Sequence, residues 1–409
     1  MDPVGYCRVC GSQNLTFLFS LGEQYVNDFV KPGHQHDGVK YPIELELCNC
    51  CSLVQMRHTA PQELLYSKHY WYRSGVTGMM RTALSDVSRS AQYLAFLLCG
   101  DVVLDIGSND GTLLRSYQRR DIVKVGVEPA TNLAEEGKRD VDIFINDFWN
   151  FDNYWEIVHK RAKVITALGM FYDLDDPNTF ISDVAQALDP NGIFIAQLMC
   201  LRDTIDQGDV GNFAHEHLEF YSFKSLQYLY ERNGLEIIDV ERNYVNGGSY
   251  RIYARLKGSQ VQAFQGAEQR IAKVVAAERD LTLPATYQLF EQRLLKNKAK
   301  TVRFIGGMVA ECKTVWVYGA STKGNVILQY YGLDEKLIGG AADRSPEKWG
   351  KVTVGTGIPI YEEEVARAIN PDYFLVLPYA FLEEFIVRES DWRERGGRFI
   401  VPLPEFRVL

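Results

Sequence analysis

Residues 102–114 read VVLDIGSNDGTLL, a run in which three short pieces obey different rules. The apolar piece ending at Asp105-Ile106 is too short for a helix and suits a fully buried strand. The piece from Gly107 to Gly111 is a turn, and the Thr-Leu-Leu that follows starts a helical pattern. Glycine is required where a chain turns sharply and its backbone comes close to a ligand. A strand, a glycine turn and a helix in this order form the nucleoside-binding unit of parallel α/β sheets.

The spacing of the turn narrows the ligand. A dinucleotide fold wants G-x-G-x-x-G, with a helix N-terminus facing pyrophosphate. Here the glycines stand as G-x-x-x-G, with Ser108, Asn109 and Asp110 between them. An acid in the loop suits a zwitterionic amino acid and a sulfonium better than a diphosphate. The next strand-like run, VKVGV, ends in Glu128-Pro129, where a carboxylate can accept hydrogen bonds from both ribose hydroxyls. Asn146-Asp147-Phe148 follows a further apolar run and can face an adenine amine. Together Asp105, Gly107, Ser108, Asn109, Gly111, Glu128, Pro129, Asn146, Asp147 and Phe148 point to S-adenosylmethionine (SAM) as cofactor.

Working outward, AKVITALG and GIFIAQLM alternate with helical patterns such as Phe180–Leu188, which predicts a parallel sheet with covering helices. Leu235–Tyr244 and Ser249–Arg255 read as an antiparallel pair closing that sheet, around the turn Asn246-Gly247-Gly248. From about 259 to 306 apolar residues recur at helical spacing, and Pro284 divides the stretch into two helices. A second strand–turn–helix, TVWVYGASTKGN, then opens a further set of strands. The expected organisation is a small N-terminal domain over 1–75, a SAM-binding domain over 76–258, a helical connector over 259–306 and a Rossmann-like C-terminal domain over 307–409.

Composition bounds the partners. The chain has 409 residues, enough for more than one core, and carries 44 Lys and Arg against 53 Asp and Glu. A net charge of −9 argues against nucleic acid as a partner. No apolar run approaches the length a bilayer demands, and MDPVGYCRVC lacks the basic and apolar regions of a signal peptide. A cytoplasmic protein with no membrane partner, monomeric or weakly self-associating, is expected.

Of the eight cysteines, five lie within the first 51 residues. Cys7-x-x-Cys10 and Cys48-x-x-Cys51 are two knuckle-like pairs, the pattern of a tetrahedral four-thiolate zinc ion. A closed site of this kind leaves no position for substrate, so the zinc is expected to be structural, a staple for a small domain. Cys50 reads as a spectator, and His34 and His36 as residues of an exposed loop.

Three segments hold chemistry outside the SAM loop. Asn212-Phe-Ala-His215-Glu216-His217 carries two of only seven histidines around a glutamate. Imidazole suits proton transfer near neutral pH, so a general base leads this reading, with a structural histidine or a metal ligand as alternatives. Asn246, Gly248, Ser249 and Arg251 offer amides, a hydroxyl and a guanidinium to an anion or sugar, though a tight strand connection explains the same residues. Tyr318-Gly-Ala-Ser321-Thr-Lys323-Gly-Asn325 opens a helix whose amides, with Lys323, suit phosphate oxygens. It does not fit the Walker pattern. Asp175 and Asp176 before Pro177 read as helix-capping and turn residues.

In this order, CRVCG, LCNCCSLVQ, YWYRSG, VLDIGSNDGTLL, HEH, NGGSYR, YGASTKGN, DRSPEKWGK and GIPI span the whole chain. The chain resembles the sugar C-methyltransferases that act on nucleotide-linked 4-keto-deoxysugars. The resemblance implies a class I SAM-methyltransferase Rossmann-like domain between a small zinc-binding domain and a second Rossmann-like domain that holds a nucleotide-sugar substrate. It implies that His217 is the base, that Glu216 orients substrate or base, and that Tyr72 lies near SAM. It also implies that Lys323, Asp343 and Lys348 lie in the nucleotide-holding part. Methylation of oxygen or nitrogen on a related nucleotide sugar is the alternative, and a non-catalytic nucleotide-binding scaffold a more distant one. Three positions depart from the family pattern: Ala214 replaces a tyrosine, while Gly169 and Asp173 replace an Asn-x-x-x-His pair.

Overall fold

Each sheet of the protein follows from a different residue pattern, as a computed structural model of the chain displays; it describes residues 2–61, 65 and 73–409. In the N-terminal region, β1 (Leu15–Tyr25), β3 (Lys40–Cys48) and β4 (Val54–Met56) form an antiparallel sheet, with the short β2 (Phe29–Val30) between β1 and β3 in sequence. Leu45 and Leu47 turn inward along β3, and bulges at Phe17/Phe19 and Ser20/Gly22 re-aim β1.

The central strands are mostly apolar because helices cover both faces of a parallel sheet. They are β5 (Val102–Ile106), β6 (Val123–Val127), β7 (Ile143–Ile145), β8 (Ala162–Leu168) and β9 (Leu188–Met199). The two-residue β10 (Glu219–Phe220) follows, then β11 (Leu235–Asn243) and β12 (Ser249–Leu256). The central sheet runs β11-β12-β9-β8-β5-β6-β7, with β12 antiparallel to both neighbours. The predicted closing pair is therefore present. Strand order reverses between β5 and β8, and the crevice beyond their carboxyl ends is where such sheets take ligands.

The C-terminal strands are β13 (Val315–Tyr318), β14 (Ala341–Asp343), β15 (Val352–Thr353), β16 (Ile360–Glu362), β17 (Tyr373–Val376), β18 (Arg398–Val401) and β19 (Arg407–Val408). Six of them form a sheet of order β16-β14-β13-β17-β18-β19, parallel except for β19. Its own reversal point lies between β13 and β17.

Pro284 does divide the connector. The helix Ala267–Ala277 precedes it, and Pro284 occupies the first turn of the helix Pro284–Ala310, where its missing N–H costs nothing. That helix buries Tyr287, Phe290, Leu294, Asn297, Thr301 and Ile305, one stripe at helical spacing. Asp176 caps the helix Pro177–Ala187, its carboxylate accepting the N–H of Asn178 and Thr179 at 3.1 Å each.

The N-terminal region pairs with one short strand from each of the other two regions. β10 adds to β4, so the first sheet runs β1-β3-β4-β10, and β15 pairs with β2. One continuous apolar core runs from Val9 through Phe213 to Leu403. Among the described residues no helix is long and apolar enough to cross a membrane.

Candidate active site

The sulfurs of Cys7, Cys10, Cys48 and Cys51 lie within 4.8 Å of one another. Cys7 and Cys51 approach to 3.5 Å, and Cys10 and Cys48 to 3.4 Å. Thiolates about 2.3 Å from a tetrahedral zinc stand roughly 3.8 Å apart, so this donor set fits the ion. Cys50 is exposed, with its sulfur 3.2 Å from the Ser12 hydroxyl, and His34 pairs with Asp37 in an exposed loop.

The two reversal points face each other across one cavity of about 580 Å³. From the central sheet, Asp105, Gly107, Ser108, Asn109, Glu128, Pro129 and Phe148 border it. Gly169, Met170, Tyr172 and Asp173 follow β8, and Asp209, Glu216 and His217 come from the segment after β9. Asn246 and Ser249 add the turn before β12, while Ser321, Lys323 and Tyr379 come from the carboxyl ends of β13 and β17. Asn27, Asp28 and Arg73 complete the wall from the N-terminal side.

The cofactor end is built from backbone. Gly107 has φ +69°, and a Cβ there would stand 2.8 Å from Met170 Cγ, so only glycine fits. Glu128 accepts the N–H of Asn109 at 2.9 Å and of Ala130 at 2.8 Å. A carboxylate offers about four lone-pair sites, so capacity remains for ribose hydroxyls. Burial pushes its pKa upward. Asp105 accepts the Thr166 hydroxyl at 2.6 Å, and burial lifts it to about 7. Ser108 Oγ is buried without a partner. The segment after residue 72 ties onto this loop, with Ser74 N–H donating to Asn109 Oδ1 at 2.9 Å and Gly75 N–H to Asp110 Oδ2 at 2.7 Å. An orphaned hydroxyl, a half-satisfied carboxylate and a glycine cradle fit the polar parts of SAM. Tyr72 lies outside the described residues.

A second part of the wall is built around His217. Its N–H bonds back to the Ala214 carbonyl at 3.0 Å, closing a turn, and Nδ1 lies 2.7 Å from the Asn212 carbonyl. That contact makes Nδ1 the protonated nitrogen and leaves Nε2 with a free lone pair. Tyr172 packs edge-on at 4.8 Å. Burial, and then the charge of Lys323, push the imidazole pKa down to about 3, so the ring is neutral. Glu216 accepts the Asn27 amide at 3.3 Å, and burial raises its pKa.

Other predicted site residues lie outside the cavity wall. His215 points the other way, with Nε2 3.0 Å from the Tyr41 carbonyl. Arg251 is buried against Asp86 and Gln197. Tyr318 donates to Glu389 within the C-terminal core, and Asn325 donates to the Asp28 carbonyl at 3.2 Å. Lys348 pairs with Asp343 at 3.2 Å. Asn146 donates to the Glu128 carbonyl at 2.7 Å, and Asp147 accepts the Asn153 amide at 3.3 Å. Gly111 starts the helix Thr112–Ser116 at φ +75°, and Gly248 receives the Cys200 N–H at 3.1 Å. These residues brace the surrounding strands, helices and loops rather than line the space. Ala214 is fully buried and away from the cavity, whereas Gly169 and Asp173 border it. Asn27, Asp209 and Tyr379 line the space without any motif to announce them; only the glycines flanking Asp209 mark its loop.

Comparison with known proteins matches three stretches of the chain. A family model described as "Putative zinc binding domain" matches residues 7–66. A methyltransferase domain matches 80–240, and a C-methyltransferase C-terminal domain matches 244–404. The C-methyltransferase NovU of Streptomyces niveus is 30% identical over 414 residues, covering 100% of this chain and 97% of its own length. Among solved structures, the mitomycin 7-O-methyltransferase MmcR superposes with a TM-score of 0.34 at 16% identity, over 44% of this chain and 54% of that one. Magnesium protoporphyrin IX methyltransferase (ChlM) from Synechocystis PCC 6803 does so with a TM-score of 0.35 at 12% identity, over 45% and 89%.

Proposed function

The chain belongs to the SAM-dependent C-methyltransferases, and from that premise we propose that it methylates the carbon beside the ketone of a nucleotide-linked deoxysugar, with His217 as the base. The observation that carries this reading is one cavity shared by the SAM loop, a neutral histidine with a free Nε2 and the C-terminal glycine turn.

SAM, when bound, supplies an electrophilic methyl group on a sulfonium. Asp105, Ser108 and Glu128 hold and orient the cofactor. A ketone acidifies the neighbouring C–H, and a base must then be neutral, dry and aimed. His217 meets these demands, because Asn212 fixes its tautomer and Tyr172 its ring plane. Glu216, held by Asn27, orients the sugar or the ring. His217 Nε2 takes the proton, leaving the substrate carbon nucleophilic toward the methyl group that bound SAM would supply.

The test is His217→Ala assayed against a panel of nucleoside-diphosphate keto-sugars with labelled SAM, the methylated position being read by NMR. Methylation should fall about 10²- to 10⁴-fold, the usual contribution of a general base. SAM affinity should stay within twofold. Equal turnover in the variant removes His217 from the role, and label found on oxygen or nitrogen removes the carbon chemistry from this chain.

A further inference from the structure

Lys323 stands apart from the residues with which its motif groups it. Lys348 donates to the Ala320 carbonyl at 2.6 Å and pairs with Asp343, and neither of the two borders the cavity. Lys323 enters the cavity and donates to the Asn246 carbonyl at 3.4 Å. Burial pulls its pKa down, against the opposing pull of Asp209 and Glu216, one buried and one half-buried carboxyl on the same wall.

One ammonium facing two carboxylates has little charge to spare for a diphosphate, whose sites gather several cations or free amides; on this wall the amides of the helix start at Ser321–Lys323 meet that need better than the Lys323 side chain. Such a group suits a small negative charge that exists only briefly. Its position is fixed by backbone. A Cβ on Gly211 would stand 2.9 Å from the Lys323 carbonyl oxygen and 3.1 Å from its Cβ. The segment carrying Asp209 and His217 therefore touches the helical turn that carries Lys323, so packing sets the separation of base and ammonium.

We propose that Lys323 is a catalytic residue of the carbon methylation, donating a hydrogen bond to the ketone oxygen and stabilising the enolate formed when His217 removes the neighbouring proton. This rests on the keto-sugar reading above. The C–H electron pair becomes the C=C bond, the carbonyl π pair moves to oxygen, and the proton goes to His217 Nε2. Lys323 keeps its own proton throughout. The carbonyl re-forms as the carbon–methyl bond is made, and His217 returns its proton to solvent. Lys323 also lowers the proton affinity of His217. A negative charge growing beside the ammonium offsets that effect, so the base strengthens as the enolate appears.

The experiment measures solvent deuterium exchange into the carbon beside the ketone of dTDP-4-keto-6-deoxyglucose, without SAM and at saturating substrate. In parallel, calorimetry gives the affinities for dTDP and for SAM. For Lys323→Gln in the full-length protein, exchange should fall about 10²- to 10³-fold, as on loss of an oxyanion donor. Both affinities should stay within twofold. A tenfold loss of dTDP affinity with exchange kept near wild type overturns the proposal and makes Lys323 a phosphate ligand. Should the Gln variant melt at room temperature, Lys323→Arg carries the test. A guanidinium keeps phosphate pairing but is misplaced for one oxygen, so lowered exchange with dTDP affinity kept supports the role, and unchanged exchange overturns it. Wild-type enzyme that binds the keto-sugar yet exchanges no deuterium overturns the keto-sugar reading and the Lys323 role with it.

Discussion

The units at 102–128 and 315–343 have the same construction, strand, glycine turn, helix and second parallel strand ending in an acid, yet they meet the cavity differently. Glu128, at the end of the first unit's second strand, borders the cavity and has lone pairs to spare. Asp343, at the matching point of the second unit, accepts the N–H of Ala320 at 2.9 Å and of Ser345 at 2.8 Å and is paired with Lys348, away from the cavity. The first unit offers its acid to a ligand, and the second uses its acid to brace its own turn. What the second unit presents instead is Lys323, in the first turn of its helix. A supersecondary motif thus tells where a ligand could approach, while the partners of a single carboxylate decide what it is offered.

The contrast depends on a shared frame, so the largest effect should come from removing the metal. Structural zinc contributes about 10 kcal/mol or more of folding energy in small sites. Stripping it with a strong chelator should abolish turnover and lower the melting temperature of the whole chain, because β4 pairs with β10 two residues beyond His217. Full activity of metal-free protein, checked by elemental analysis, would dissolve that frame.

Next in size, Glu128→Ala should weaken SAM binding by about 2 kcal/mol, the cost of unpairing hydrogen-bonded polar groups. Asp343→Asn should leave SAM affinity within twofold; equal losses from both changes, read by calorimetry, would erase the difference between the units. The glycines sharpen it further. Gly107→Ala and Gly319→Ala each place a Cβ at positive φ, 2.8 Å from Met170 Cγ and from Pro378 Cγ respectively. Both should lose about 1–3 kcal/mol of stability, yet only Gly107→Ala should also weaken SAM binding.

The smallest effect is a slope. Burial raises Asp105 to about 7, above its unfolded value of 3.8, so its contribution is fully present only below that unfolded value and is lost as pH rises to 7. Stability should fall by up to about 1.4 kcal/mol per pH unit over that window from this residue. Melting curves of Asp105→Asn should show a flatter profile than wild type between pH 5 and 7.

Much of this was legible in the sequence because the signals are local. VVLDIG followed by a glycine turn fixes both the strand and its exit, and paired Cys-x-x-Cys spacing needs no tertiary knowledge. Pro284 and Asp176 announced their helix starts for the same reason. The remainder depends on directions that periodicity does not encode. His215 and His217 lie in one turn, and only the bond from Nδ1 to Asn212 aims the second at the cavity while Tyr41 draws the first away. Arg251 faces Asp86 of the helix Gly78–Ala95, an interaction across 165 residues. β10 and β15 are two residues long, too short to show any alternation, yet they join the regions.

The loan of β10 to the metal-bearing sheet has a practical meaning for anyone recombining related enzymes. A chimera joined in the chain between β4 and the helix Gly78–Ala95 would set one parent's β4 against the other's β10, and the mismatch would fall two residues from His217. Met56 N–H donates to the Leu218 carbonyl at 2.8 Å, so even the backbone there belongs to both pieces. A crossover placed after Phe220 keeps donor and acceptor strands from one parent. The heritable unit of this enzyme is therefore longer than its cysteine pattern suggests, running from the first knuckle through β10.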